Sequence, residues 1–116
     1  EPPKMIEEIR KPTLLPLGAE EKIGMSARSM VSFYYYVGDE YYVFFAQTLL
    51  DNDVGLLNAE YAVCDNCKIS SYDALFITYT DSSRIFIEWS DGKYAYSVSS
   101  AILDVDMLIK IAESVK

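Results

Sequence analysis

Val31 to Val37 and Tyr41 to Leu50 are dense in apolar and aromatic positions, separated by Gly38-Asp39-Glu40. Runs of this length, rich in β-branched and aromatic residues and broken by turn residues, predict two strands of a hairpin, Val31–Val37 and Tyr41–Leu50. Alternation places Phe33 and Tyr35 on one side of the first strand and Tyr34 and Tyr36 on the other. Continued across the turn it groups Tyr34, Tyr36, Tyr41 and Phe45 against Phe33, Tyr35, Tyr42 and Phe44. A half-exposed strand alternates more cleanly than this. These strands are therefore central and covered on both sides, or they present an aromatic patch to a partner.

The second half alternates more strictly. Asp91-Gly92 is a type I′ turn pair, and a two-residue loop there sets Trp89 opposite Tyr94, Ile87 opposite Tyr96 and Ile85 opposite Val98. All six share one face, with Phe86, Glu88, Ser90, Lys93, Ala95 and Ser97 on the other. A one-residue slip mixes the two sets, so burial supports this pairing. Ala74–Thr80 is the preceding strand, and a loop at Asp81-Ser82-Ser83 lays Leu75, Ile77 and Tyr79 beside Trp89, Ile87 and Ile85.

The chain closes on a helix. Asp104 is its expected N-cap, and Val105, Leu108, Ile109, Ala112 and Val115 form an apolar stripe at helical spacing. Residues 1–18 are punctuated by Pro2, Pro3, Pro12, Pro16 and Gly18 and read as a strap. In it Met5, Ile6 and Ile9 form a short helical turn, and Leu14, Leu15 and Leu17 are expected to bury. The pattern thus predicts an α+β fold. A twisted antiparallel meander of hairpins over 19–116 packs on a C-terminal helix, and the Pro-rich strap 1–18 precedes it as a linker from a membrane anchor.

Size and charge narrow the partners. One domain accounts for 116 residues, long enough to bury a core without metals or disulfides. Eighteen acids against ten bases leave a net charge of −8, which repels phosphate backbones and argues against nucleic acid. There is no histidine, so the usual proton shuttle and every Ser-His or Cys-His nucleophile are missing. No cofactor, metal site or catalytic residue is expected. The opening Glu1-Pro2-Pro3, without an initiator methionine, reads as a fragment whose anchor or signal has been removed.

Cys64-Asp65-Asn66-Cys67 is the one motif that could carry chemistry. A redox dithiol places its first cysteine at a helix N-terminus, and Lys68-Ile69-Ser70-Ser71 reads instead as strand or turn. The residues are expected to form a structural disulfide or thiol pair across a turn at Asp65-Asn66, with thiol–disulfide exchange or a metal shared by two copies as alternatives. Asp51-Asn52-Asp53-Val54-Gly55 fails the calcium-loop pattern at Gly55 and Ala62 and reads as a polar turn. Ser90-Asp91-Gly92-Lys93 has the Ser-x-x-Lys spacing of penicillin-recognising enzymes, but it brackets a hairpin rather than opening a helix.

Two stretches carry a family resemblance. Ile9-Arg10-Lys11-Pro12-Thr13-Leu14-Leu15-Pro16-Leu17-Gly18 resembles an opening segment with the pattern Tyr-x-Pro-x-x-Leu-Pro-x-Gly-Tyr, with Arg10 and Ala19 where that pattern has its tyrosines. Ile87 to Tyr96 with Leu108 to Ser114 resembles a Trp-Ser-Asp-Gly hairpin and a closing helix. Together they are similar to an uncharacterised bacterial family, domain of unknown function forty-three sixty-seven. The resemblance implies a place outside the cytoplasm, C-terminal to a membrane span, in anti-sigma-factor-like or other signalling proteins. It implies no catalytic residues.

The expected function is an extracytoplasmic interaction or sensor domain of a membrane-anchored bacterial protein. Its partner is a protein or small apolar ligand, with a homodimer as one form. The candidate surface is Phe33, Tyr34, Tyr35, Tyr36, Tyr41, Tyr42, Phe44 and Phe45. The alternatives are a carrier of an apolar ligand or lipid between sheet and helix, and an oxidoreductase using Cys64 and Cys67.

Overall fold

The computed structural model describes residues 5–15, 17–49, 62–79 and 84–116, without the side chains of residues 41, 62–67 and 79. Seven strands precede one helix: β1 (Ala19–Ser26), β2 (Met30–Val37), β3 (Glu40–Leu49), β4 (Ala62–Ile69), β5 (Tyr72–Tyr79), β6 (Ile85–Ser90), β7 (Tyr94–Ser100) and α1 (Val105–Glu113). They form one antiparallel sheet in the order β1-β2-β3-β7-β6-β5-β4. This corrects the single meander. Two meanders meet where β3 pairs with β7, so β4 lies at the far edge rather than beside β3. The physical reason is burial. Val43, Phe45, Gln47 and Leu49 of β3 and Tyr94, Tyr96 and Val98 of β7 are all buried, so these strands gain most from the middle. The more polar β1 and β4 take the edges.

The Trp89 face is the core face, as expected, but its register is shifted. Trp89 pairs with Tyr96 and Ile87 with Val98. The loop is Gly92-Lys93, with Gly92 at φ +91° in the first central position. Asp91 is drawn into the turn as a cap: its Oδ1 accepts from the Lys93 and Tyr94 N–H groups at 2.9 Å each. A slip of two residues preserves the faces, which is why the six-residue set survives the error.

The β5–β6 register differs by one residue, and there the faces change. Ala74 lies opposite Trp89, Phe76 opposite Ile87 and Ile77 opposite Phe86. A small side chain thereby faces the indole, and Leu75 and Ile77 turn to the other side. Between β2 and β3 the departure is a bulge after Tyr36↔Tyr41. Val43 then pairs with Tyr35, Phe44 with Tyr34 and Phe45 with Phe33. The extra residue, Tyr42, moves Phe45 to the core face and Phe44 to the outer one, reversing the grouping expected from simple alternation.

Helix α1 packs on the core face through Leu108 and Ala112, with Ile109 against the same cluster, and Ile111 is buried as well. Asp104 caps it, Oδ1 accepting from the Met107 N–H at 2.9 Å. Of the expected stripe, Ile109 and Val115 are half-buried and pack against the core, and buried Ile111 lies outside that stripe. Beside the helix, residues 5–13 run across the same face. Ile6 is buried there, whereas Met5 and Ile9 are exposed, and the helical turn expected at 5–9 does not form. Leu14 and Leu17, expected to bury, are exposed as well.

Aromatic rings run across the core face from β6 to β2. Trp89 stacks on Tyr96 at 5.4 Å between centroids, Tyr96 on Phe45 at 6.2 Å, and Phe45 pairs with Phe33. Three tyrosine hydroxyls on this face find partners at the rim: Tyr35 on Glu21 Oε1, Tyr96 on Asp91 Oδ2, and Tyr94 as acceptor from the Glu7 N–H.

Candidate functional site

The outer face, turned away from α1, is built from the residues that alternate with this core. On β2 and β3 it carries Tyr34 directly opposite Phe44, their ring centroids 4.9 Å apart and tilted by 56°. Both are half-buried. Lys22 of β1 pairs with Tyr34 across the strand gap and holds its ammonium 4.7 Å from the Tyr36 ring centroid.

Gly24 explains how the Tyr34 ring lies down on β1. A bulge falls between Ile23 and Met25, and a Cβ built on Gly24 would stand 2.5 Å from Tyr34 Cε2 and 2.7 Å from Ser32 Oγ. Only a residue without a side chain leaves the ring room. Gly24→Ala is therefore expected to cost about 1–2 kcal/mol by displacing the ring from Phe44. A thermal melt and a near-ultraviolet dichroism spectrum identical to those of the parent chain would refute this close approach.

Beyond Phe44 the central strands present small side chains. Ser99 pairs with both Phe44 and Phe86, and Ser97 with Ala46 and Glu88. Arg84 Nη1 donates to Ser99 Oγ at 3.3 Å. Ser99 and Ala46 are buried and Ser97 half-buried, between the aromatic ridge of Tyr34 and Phe44 and the half-buried Phe86. Met25 and Leu75 are exposed apolar residues on the same face.

The eight proposed surface aromatics thus divide. Tyr34, Tyr36 and Phe44 are half-buried, Tyr34 and Phe44 side by side on the outer face. Phe33, Tyr35 and Phe45 are buried in the core and drop out of the surface. Tyr42 packs against the core from its bulge, and its carbonyl accepts from Ser100 Oγ at 2.7 Å. The side chain of Tyr41 lies outside the described residues.

Cys64 and Cys67 stand on β4, and their side chains also lie outside the described ones, so the expected thiol pair falls there too. The turn expected at Asp65-Asn66 is corrected: the backbone continues as strand, Asp65 opposite Phe76 and Asn66 opposite Leu75. The ladder with β5 supplies the hydrogen bonds that a turn would forgo. Among the described residues no cluster of three acidic or cysteine side chains could hold a metal ion. No described helix is long and apolar enough to cross a membrane.

Sequence reasoning missed a polar cluster on the opposite side, where residues 7–10 meet the core face. Gln47, fully buried on β3, donates from Nε2 to the Glu8 carbonyl and accepts at Oε1 from the Arg10 N–H, both at 2.9 Å. The Arg10 guanidinium lies 3.8 Å from Asp91 Oδ2, which also accepts from Tyr96 Oη at 2.7 Å. Burial pushes the Asp91 carboxyl up, but the Tyr94 and Lys93 N–H groups, the Tyr96 hydroxyl and Arg10 outweigh it and hold it below its ordinary value. Burial and the bond to Asp91 push the Tyr96 phenol up. The one available signal was Gln47 itself, a lone amide inside an otherwise apolar strand.

The architecture defines an α+β domain, a single antiparallel sheet closed on one face by a C-terminal helix, with an outward aromatic ridge. The family model described as Domain of unknown function (DUF4367) matches residues 9–115, and the chain belongs to that family. Comparison with curated proteins and with solved structures finds no match.

Proposed function

We propose that this domain is an extracytoplasmic interaction or sensor module of a membrane-anchored bacterial protein, binding a protein partner on the outer face of β1–β3. The observation that carries the reading is the Tyr34–Phe44 pair, half-buried on the sheet face away from α1. Tyrosine and other aromatic side chains in that state supply large contact area at small entropic cost and dominate interface energetics. The location rests on the setting that the resemblance implies.

The alternative carrier reading needs space between sheet and helix. Val43, Phe45, Tyr94, Val98 and Leu108 are all fully buried there, packed against one another, which favours the outer face as the working surface. Oxidoreductase chemistry at Cys64 and Cys67 has no described neighbour to support it.

A photo-crosslinking residue at position 34, in the chain expressed in its host cell, tests the proposal. An adduct with one partner is expected at position 34 and not at exposed Lys110 on α1. Phe44→Ala is expected to weaken that partner's binding about tenfold or more. An adduct with a second copy identifies a homodimer, which sizing in solution confirms. No adduct at position 34, from a monomer that extracts with bound lipid, would sink the proposal in favour of the carrier.

A further inference from the structure

Residues 5–13 belong to no strand of the sheet, yet they lie across its core face. Their main chain is held largely by groups outside any ladder. The Ile6 N–H donates to the Arg28 carbonyl at 2.7 Å and the Glu7 N–H to Tyr94 Oη at 3.1 Å. Gln47 takes the Glu8 carbonyl and the Arg10 N–H with the two ends of one amide. Further along, Lys11 and Lys116 exchange backbone bonds of 3.2 and 3.1 Å, and Pro12 bridges Val115. Lys11 also reaches Glu21 Oε2 at 2.9 Å and lies over Phe33 at 4.6 Å.

The apolar hold is small by comparison. Of the side chains in this segment only Ile6 and Pro12 are buried, while Met5, Glu7, Glu8, Ile9 and Thr13 are exposed. Lifting the segment therefore exposes little apolar surface of its own, and segments of that kind open at low free-energy cost. Resistance comes from the sheet side. Gln47, 0% exposed, makes two hydrogen bonds to the segment's main chain, and opening exchanges both for bonds to water.

We propose that residues 5–13 form a latch that opens as a unit while the sheet and α1 remain folded, with Gln47 holding it shut. The latch joins the N-terminal part of the chain to the residues that follow α1, through Lys11, Pro12, Val115 and Lys116. Its opening therefore changes both ends of the fold together without melting the middle. The inference is independent of the outer surface proposed above, since none of its residues lies on that face.

Hydrogen exchange on the full chain tests it. The amides of Ile6, Glu7, Lys11 and Thr13 are expected to exchange at a common rate, at least tenfold faster than those of Phe45 and Val98. Gln47→Met is expected to speed all four by about tenfold, although none of them bonds to Gln47, and to leave Phe45 and Val98 unchanged. Ile6→Asp, a change on the latch itself, is expected to speed the Arg10 amide by a similar factor and decides the matter alone should the first variant not fold. Acceleration confined to the Arg10 amide in Gln47→Met, or to residue 6 and its immediate neighbours in Ile6→Asp, would overturn the latch as a unit. Equal acceleration at Phe45 and Val98 would overturn its independence from the sheet.

Discussion

Truncating Trp89 to alanine is expected to destabilise the fold by about 3–5 kcal/mol, the range for removing a buried indole from a packed core. Trp89 is 7% exposed and stands at the β6 end of the ring series that continues through Tyr96 and Phe45. Its cross-strand neighbour on β5 is Ala74, which cannot grow into the space left behind. The cavity would therefore persist, and its cost adds to the lost transfer free energy. For a domain of this size such a loss lowers the melting temperature by roughly 10–20 °C. A melt displaced by less than about 3 °C would contradict the assignment of Trp89 to the core face.

Asp91 carries the second large effect. Its carboxylate accepts from two backbone N–H groups of its own turn and from Tyr96 Oη, and it lies beside Arg10. Asp91→Ala removes all of these and leaves a buried phenol without its acceptor, which is expected to cost about 3 kcal/mol. Asp91→Asn keeps the Oδ1 acceptor for the turn and should cost less. The two states of the protein differ in proton affinity here, because the folded carboxyl is held below the ordinary value of 3.8. Stabilisation from this group is complete above the unfolded value and is lost as pH falls through the lower, folded one. Urea midpoints are thus expected to separate the native chain from Asp91→Asn at pH 7 and to converge on acidification below the ordinary carboxylate range. A separation that persisted unchanged in acid would show that the charge contributes nothing.

These two residues also show how far the sequence reached. Trp89 was placed on the correct face with the correct companions, Ile85, Ile87, Tyr94, Tyr96 and Val98, although the pairing was wrong by two positions. Side-chain period along a strand is two, so face assignment tolerates that slip, whereas the one-residue error on β5 exchanged Leu75 and Ile77 with Ala74 and Phe76. In the sequence Asp91 signals a turn and nothing of its wider contacts. Its bond to Tyr96 follows from the turn moving to Gly92-Lys93, and its contact with Arg10 joins residues far apart in sequence.

The candidate surface was legible as a cluster and illegible as a face. A run in which Phe33, Tyr34, Tyr35, Tyr36, Tyr42, Phe44 and Phe45 are all aromatic carries no period to say which ring points where. The bulge at Tyr42 decided it, placing Phe44 beside Tyr34 outside and Phe45 beside Phe33 within. A bulge depends on how two strands twist against each other and leaves no composition signal of its own. The crowding of Gly24 under Tyr34 was equally invisible, being an approach between residues on neighbouring strands.

By itself the sequence determined what local chemistry determines. The hairpins on either side of Gly38 and Gly92, the apolar set on β6 and β7, and the Asp104 cap with its helix all arise within a few residues of chain. Alternation, positive φ and orphan N–H groups act at that range. Only the tertiary structure decided the pairing of β3 with β7, the edge positions of β1 and β4, and the seating of residues 5–13 on Gln47. β1, reading Ala-Glu-Glu-Lys-Ile-Gly-Met-Ser with Ile23 69% exposed, and β4, through Cys-Asp-Asn-Cys, carry little hydrophobic pattern. An edge strand is held by the ladder of its neighbour more than by its own burial, so nothing in its side chains need announce it. Strand order follows from which apolar strands bury most when placed together, a comparison among distant segments that no single window of sequence contains.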